Sequence, residues 1–221
     1  MAFFIPKIME FLPEIINDYS IAYTEKEPRI LSELNRETWA NVMKPRMLSG
    51  HMQGRILSMI SKMISPDSII EIGTYTGYSA LCLAEGIKKN GKLYTLDINE
   101  EYTAIAARYF NKSDYKNNIQ QHIGNALEII PDLDTKFQLA FIDADKENYS
   151  SYFDLIIDKI DVGGYIIADN VLWSGKVTAK QKDQETKALH QYNKKVLADK
   201  RVETLLFPVR DGLMISRKIS N

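Results

Sequence analysis

Two short stretches hold the residue types best suited to chemistry in this chain: Asp143-Ala144-Asp145-Lys146 and Asp169-Asn170. Asp143, Asp169 and Asn170 would together offer two carboxylates and an amide oxygen. Such an all-oxygen set suits a hard, octahedral cation such as Mg²⁺, with positions left for water and substrate. Lys146 stands three residues past Asp143. Nearby cations and partial burial lower a lysine's pKa, which makes it a usable general base. As an EF-hand loop, DADKENYSSYFD fails: Asn148 occupies the position that needs glycine, and an apolar strand rather than a helix precedes it.

A ligand loop lies upstream in Ile69-Ile-Glu-Ile-Gly-Thr-Tyr-Thr-Gly-Tyr-Ser79. A strand runs into a turn containing Gly73 and Gly77, and a helix opens near Ser79. Glycines there let backbone N–H groups approach a ligand at the carboxyl end of a strand, where open α/β sheets bind ligands. A pyrophosphate-binding G-x-G-x-x-G fingerprint is absent, because Tyr75 stands two residues after Gly73. That absence counts against a nicotinamide-dependent dehydrogenase. Glu71 adds a negative charge that is wrong beside phosphates and right beside an ammonium or sulfonium group. Asp97 ends the next apolar run, placed to hydrogen-bond both hydroxyls of a ribose.

These residues need a sheet to bring them together. Short β-branched runs bounded by Gly or Asp, at Ile69–Ile72, Leu93–Leu96, Ile119–Ile123, Leu139–Ile142 and Tyr165–Ala168, alternate with helical patterns near 78–88, 100–110, 125–130 and 146–160. This order predicts a doubly wound, mostly parallel, Rossmann-like α/β sheet with right-handed crossovers. The 146–160 pattern would bury Tyr149, Phe153, Ile156, Ile157 and Ile160, with Lys146 in its first turn. After a helix near 183–198, Glu203–Pro208 and Leu213–Ser216 flank a tight Arg210-Asp211-Gly212 turn. So short a connection joins only antiparallel neighbours, making seven strands ending in a hairpin. The carboxyl ends of the fourth and fifth strands would then set Asp143, Asp169 and Asn170 at the edge that carries the Gly73 loop. Trp173, just beyond, is placed to wall an aromatic substrate.

Residues 1–64 read as a helical cap on a core spanning 65–221, the whole forming one domain. Leu31, Leu34, Thr38 and Val42 make one apolar stripe there, and Ile56, Leu57, Ile60, Met63 and Ile64 another. The N-terminal MAFFIPKIMEFLPEII is broken by Pro6, Lys7, Glu10, Pro13 and Glu14, so an amphipathic segment is expected rather than a signal or a membrane span. The 28 basic and 29 acidic residues leave a formal net charge of −1, which argues against a globally basic nucleic-acid binder. Cys82, the single cysteine, excludes intramolecular disulfides and thiolate zinc clusters and fits a reducing, cytoplasmic setting.

EIGTYTGYSAL (71–81), FIDADKENY (141–149), ADNVLWSGKV (168–177) and FPVRDGLMISRK (207–218) occur in that order. With them the chain, from about Glu27 to Lys218, resembles the cation-dependent S-adenosylmethionine-dependent O-methyltransferases. That class holds the caffeoyl-CoA and catechol enzymes and bacterial relatives. The resemblance implies methyl transfer from S-adenosylmethionine to a catechol-like acceptor, with Mg²⁺, Mn²⁺ or Ca²⁺ held by Asp143, Asp169 and Asn170, and Lys146 removing the hydroxyl proton. Glu71, Gly73, Thr74, Ser79, Asp97, Ala126, Asp143 and Asp145 match the family's cofactor positions, and Met47 and Ser49 in PRMLSGHMQG a further contact segment. Ser174 stands where plant enzymes carry a substrate-binding Asn, and Asn125 where relatives often have Asp or Pro. A homodimer is implied as well.

An alternative acceptor is hydroxyuridine in tRNA, which some bacterial relatives methylate. Residues 176–201 carry eight basic side chains against three acidic ones, the one local excess that would suit RNA. A non-catalytic nucleotide-binding module would leave Asp143, Asp169, Asn170 and Lys146 without a shared reason.

Overall fold

The computed structural model describes residues 12–221. The amphipathic segment expected at the N-terminus lies largely outside the described residues. Three helices come first, α1 (Glu14–Ala22), α2 (Arg29–Asn41) and α3 (Gly50–Ile64), with a short 3₁₀ turn at Pro45–Met47. There follow β1 (Ser68–Ile72), α4 (Tyr78–Ala84), β2 (Lys92–Asp97), α5 (Glu100–Lys112), β3 (Ile119–Ile123), α6 (Ala126–Asp132), β4 (Phe137–Ile142), α7 (Tyr149–Ile157), β5 (Ile160–Ala168), α8 (Gln184–Ala198), β6 (Val202–Phe207) and β7 (Leu213–Lys218). The seven strands form one sheet in the order β3-β2-β1-β4-β5-β7-β6. β1 to β5 pair in parallel, and β7 runs antiparallel to both β5 and β6.

Alternation along the strands divides the core. Ile70 and Ile72 join Tyr149, Phe153, Ile156, Tyr192 and Val196 on the face covered by α6, α7 and α8. Ile69 joins Leu31, Leu34, Leu57, Leu81 and Phe110 on the face covered by α2 to α5. A strand buried on both sides carries apolar residues on both faces, as Ile69, Ile70 and Ile72 do on β1, and Glu71 is the one charged residue buried among them. Each large side chain buried this way contributes roughly 1.5–3 kcal/mol.

Register decides where the polar ends fall. Leu96, Ile72, Ile142 and Ala168 sit side by side across β2, β1, β4 and β5. The next residues, Asp97, Gly73, Asp143 and Asp169, therefore occupy one row at the carboxyl edge. Backbone bonds continue into that row: Gly73 donates to the Leu96 carbonyl (2.8 Å), and Asp143 and Asp169 donate to those of Ile72 and Ile142 (2.9 Å each). β1 and β4 flank the switch point of the sheet, the place where open α/β sheets take ligands.

Three details differ from expectation. The 146–160 pattern divides into a 3₁₀ turn at Lys146–Asn148, α7, and the first residues of β5. Ile160 thus pairs with Phe137 in the sheet; Ile156, Ile157 and Ile160 share helical spacing, and no glycine or proline marks the break between them. The apolar stripe on α3 is only partly buried, with Met63 79% exposed. Of that stripe α3 fully buries only Leu57, and beside it Gln53, Gly54, Ser58 and Ser61. A Cβ at Gly54 would meet the Tyr78 ring at 2.7 Å and the Cys82 Sγ at 2.8 Å, so small residues win that face by allowing α3 to approach α4. The turn between β6 and β7 is longer than Arg210-Asp211-Gly212 alone, beginning at Pro208. No helix among the described residues is long and apolar enough to cross a membrane.

Candidate active site

Gly73 opens the site. Its φ is +104°, and a Cβ there would lie 2.0 Å from the Asp143 carbonyl oxygen, so only glycine lets the β1 and β4 ends come this close. Glu71, two residues earlier, is fully buried on β1. Thr95 donates to its Oε2 at 2.5 Å, and Thr95 is bonded in turn to the Thr74 hydroxyl (2.5 Å). Burial pushes the Glu71 carboxyl up to about 8, the Ser79 and Thr95 hydroxyls only partly offsetting it. Its Oε1 is buried with no hydrogen-bond partner. A buried acceptor left bare in a ligand cleft is complementary to a donor or cation brought by a ligand.

Asp97 is already oriented by two backbone donors, Tyr75 N–H to Oδ2 (2.7 Å) and Asn99 N–H to Oδ1 (2.9 Å). Each oxygen keeps a further lone pair for a ligand hydroxyl. Gly124, after β3, donates to the Asp97 carbonyl (2.8 Å), bringing the α6 start and Ala126 to the same corner. Asn125 caps α6 by accepting the Leu127 N–H (3.0 Å). Asn is among the best N-caps, so the residue here is explained by the helix start alone.

The acidic cluster forms around Lys146. Its ammonium donates to Asp143 Oδ1 (3.0 Å), Asn170 Oδ1 (2.9 Å) and the Tyr149 hydroxyl (2.7 Å). The Tyr149 hydroxyl in turn donates a hydrogen bond to the Asp169 carbonyl (3.0 Å). Lys146 is buried, with its Nζ 4.8 Å from the Tyr149 ring centroid and 5.6 Å from that of Trp173. It precedes α7 in the 3₁₀ turn, and these bonds, rather than a helix dipole, set its surroundings. Asp169 is buried; Gln53 donates to its Oδ2 and the Asn170 N–H to its Oδ1 (2.7 Å). Burial and the neighbouring Asp143 charge push its carboxyl up to about 7. Among the described residues no three His, Cys, Asp or Glu side chains converge on a point. The oxygen set here is two carboxylates and an amide, with a positive nitrogen already bridging two of its members.

The remaining sequence candidates are more scattered. Asp145 is exposed, its carboxylate accepting from Tyr152 Oη (2.5 Å) and Asn148 Nδ2 (2.6 Å). Ser49 is buried at the start of α3, whereas Met47 is exposed. Trp173 and Ser174 lie in the 3₁₀ segment after β5, both at positive φ. Ser174 is exposed and gives its N–H to Asp211 Oδ1 (2.5 Å). Gln53, Tyr149 and Asp211 were not singled out by sequence as site residues. Gln53 lies inside the quoted PRMLSGHMQG stretch, Tyr149 reads as a core residue of α7, and Asp211 reads as a turn former.

Residues 20–219 match the family model described as O-methyltransferase. The chain belongs to the O-methyltransferase family. Caffeoyl-CoA O-methyltransferase 5 of Nicotiana tabacum is 36% identical to this methyltransferase over 208 residues, covering 88% of this chain and 86% of that protein. Caffeoyl-CoA O-methyltransferase 1 of Arabidopsis thaliana is 34% identical, over 88% and 80%. Among solved structures, the SAH-bound Podospora anserina methyltransferase PaMTH1 superposes with a TM-score of 0.84 at 27% identity, covering 94% of this chain and 97% of that one. Cofactor-bound Rv0187 from MTB reaches a TM-score of 0.89 at 24% identity, covering 95% and 99%, a likeness of fold.

Proposed function

We propose that this methyltransferase moves a methyl group from S-adenosylmethionine to one of two adjacent hydroxyls on a catechol-like aromatic acceptor, with a divalent cation held by Asp143, Asp169 and Asn170. The observation that carries the reading is the bridge made by Lys146 between Asp143 and Asn170, beside Asp169 and along the same sheet edge as the Glu71–Gly73 loop. An all-oxygen set that already attracts an ammonium fits a hard cation such as Mg²⁺, or Mn²⁺ or Ca²⁺ in its place. Bound there, the cation would lower the hydroxyl pKa and orient the acceptor.

The chain's own groups supply the rest. Glu71, with Oε1 free, faces the positive end of the methyl donor, and Asp97 takes its ribose hydroxyls. Gly73, Thr74, Ser79, Ala126, Asp143, Asp145, Met47 and Ser49 complete that contact surface. Trp173 walls the aromatic acceptor, and Ser174 borders it. Lys146, freed from Asp143 and Asn170 and neutral, accepts the proton of the hydroxyl that faces the methyl group. The acceptor oxygen then bonds to the methyl carbon as the carbon–sulfur bond breaks, its electron pair leaving with sulfur. Holding oxygen, carbon and sulfur in line is the main contribution of a rigid strand-end row.

Three of the eight basic side chains at 176–201 pair within the chain, and a small acceptor is the first reading over tRNA. Lys176 faces Asp183 (3.8 Å), Lys195 pairs with Asp154 (2.5 Å), and Arg201 pairs with Asp199 and Asp158. The homodimer belongs to the same proposal. α1 buries none of its residues and exposes Ile15, Ile16 and Tyr19, and so short a helix is not stable unsupported. Light scattering tests the dimer. The activity test is transfer of labelled methyl to catechol, caffeoyl esters and hydroxyuridine-bearing tRNA, with and without chelator. Chelator-sensitive labelling of catechol supports the reading; labelling indifferent to chelator for every acceptor refutes it.

A further inference from the structure

The turn between β6 and β7 has no part in the chemistry described above, yet it touches the loop that carries Trp173. Because β7 runs antiparallel to β5, Met214 pairs with Ala168 and the turn emerges at the carboxyl edge, directly beside Asp169. Its residues grip the loop at three successive points. Asp211 Oδ1 accepts the Ser174 N–H (2.5 Å), the Asp211 carbonyl accepts the Leu172 N–H (3.0 Å), and the Gly212 carbonyl accepts the Val171 N–H (3.2 Å). Gly212 has φ +84°, and a Cβ there would lie 2.5 Å from Leu172 Cγ, so the two segments are in direct contact.

The gripped loop is one that would not hold its shape unaided. Asn170, Trp173 and Ser174 are all non-glycine residues with positive φ, at +59°, +47° and +53°. Backbone of this kind persists only where its surroundings over-determine it. Asp211 reaches the most exposed of the three and fixes its N–H. On its other side the turn is anchored by Arg210, whose guanidinium donates to the Ser49 carbonyl at the start of α3.

We propose that Asp211 is a positioning residue for the acceptor: by holding the Ser174 N–H it keeps the Trp173–Ser174 wall in its left-handed conformation and thereby sets acceptor affinity. It acts through Trp173 and Ser174 and touches no reacting atom. The assignment rests on the reading of this cleft as the acceptor site, so one readout is chosen to be independent of activity. The chain has two tryptophans, and the other, Trp39, is exposed on α2. In a Trp39→Phe background, acrylamide quenching of fluorescence reports Trp173 alone.

Asp211→Ala should make Trp173 more quenchable and raise the KM for catechol about 10- to 100-fold, the scale of a wall displaced by about 1 Å, while the KM for S-adenosylmethionine stays unchanged. Asp211→Asn keeps an acceptor oxygen at the same place and should stay close to the parent in both measurements. Asp211→Glu, which keeps the charge but shifts it by one methylene, should fall between and covers the case in which the alanine variant does not fold. Unchanged quenching in the alanine and glutamate variants overturns the proposal. So does a parallel rise in both KM values, or an asparagine variant as impaired as the alanine one. If the parent methylates no catechol, the proposed function fails, and the quenching series still decides whether Asp211 holds the loop.

Discussion

Binding of S-adenosylmethionine should expel a proton, and Glu71 should be its source. With its carboxyl pushed up to about 8 by burial, Glu71 is about 90% protonated at pH 7 in the free protein. A sulfonium or ammonium beside the bare Oε1 favours the charged form and draws the pKa back towards that of an ordinary carboxylate. At pH 7 about 0.9 proton is therefore released per ligand bound. Raising the pH strips that proton from the free protein in advance, so affinity increases with pH and levels off above about 8. The slope is about tenfold per unit near pH 6 and flattens towards pH 8, about 50-fold in Kd over that span. Calorimetric titration with chelator present, in buffers of different ionisation enthalpy, counts the protons. Glu71→Gln should release about 0.9 fewer and bind with a flat pH profile across this range. Equal proton release by the two proteins would refute the reasoning, and so would a glutamine variant that retains the slope.

The same group predicts a stability effect of opposite direction. Because the folded pKa lies above the unfolded one, ligand-free wild type loses stability as pH rises from about 4.5 to 8; Glu71→Gln should be the more stable by about 4–5 kcal/mol at pH 9 and by under about 1 at pH 5, read by urea unfolding. Asp143→Ala or Asp169→Ala should fold and lose methyl transfer together with any shift in Tm on adding Mg²⁺; an unchanged rate would remove these residues from the cation site. Lys146→Met should lower kcat by about 10²- to 10⁴-fold at little cost in donor affinity, measured in single turnovers. Gly73→Ala must move the Asp143 carbonyl and should abolish transfer, with a loss of at least about 3 kcal/mol in stability by denaturant titration.

Much of the site is legible in the chain because it depends on strand ends. Apolar runs that are buried on both faces announce themselves, and each of Asp97, Gly73, Asp143 and Asp169 follows such a run by at most one residue. Alternating strands and helices then oblige those ends to meet at one edge. What escaped the reading depends on contacts between distant elements. Gln53 reaches Asp169 only because Gly54 lets α3 settle onto α4, and nothing near residue 53 records that approach. Tyr149 has the spacing of a core residue and is one; that its hydroxyl also receives Lys146 follows from the 3₁₀ turn, which has no apolar signature. Ile160 kept helical spacing across a break with neither glycine nor proline to mark it. Asp211 carries the residue type of a turn, and its hold on Ser174 arises from the antiparallel placing of β7.

The row Asp97–Gly73–Asp143–Asp169 has a consequence for how such a protein can change length. Losing a single residue within β1 or β4 would turn the following side chains to the opposite face and withdraw one member from the line. Connections at the far edge of the sheet, such as 113–118 and 133–136, are under no such constraint, because the strands they enter realign before reaching the site. Lineages of this enzyme should therefore accumulate insertions on the amino side of the sheet while strand lengths remain frozen. A scan of one-residue deletions across β1 and the 113–118 connection, scored for soluble and active protein, would map that asymmetry directly.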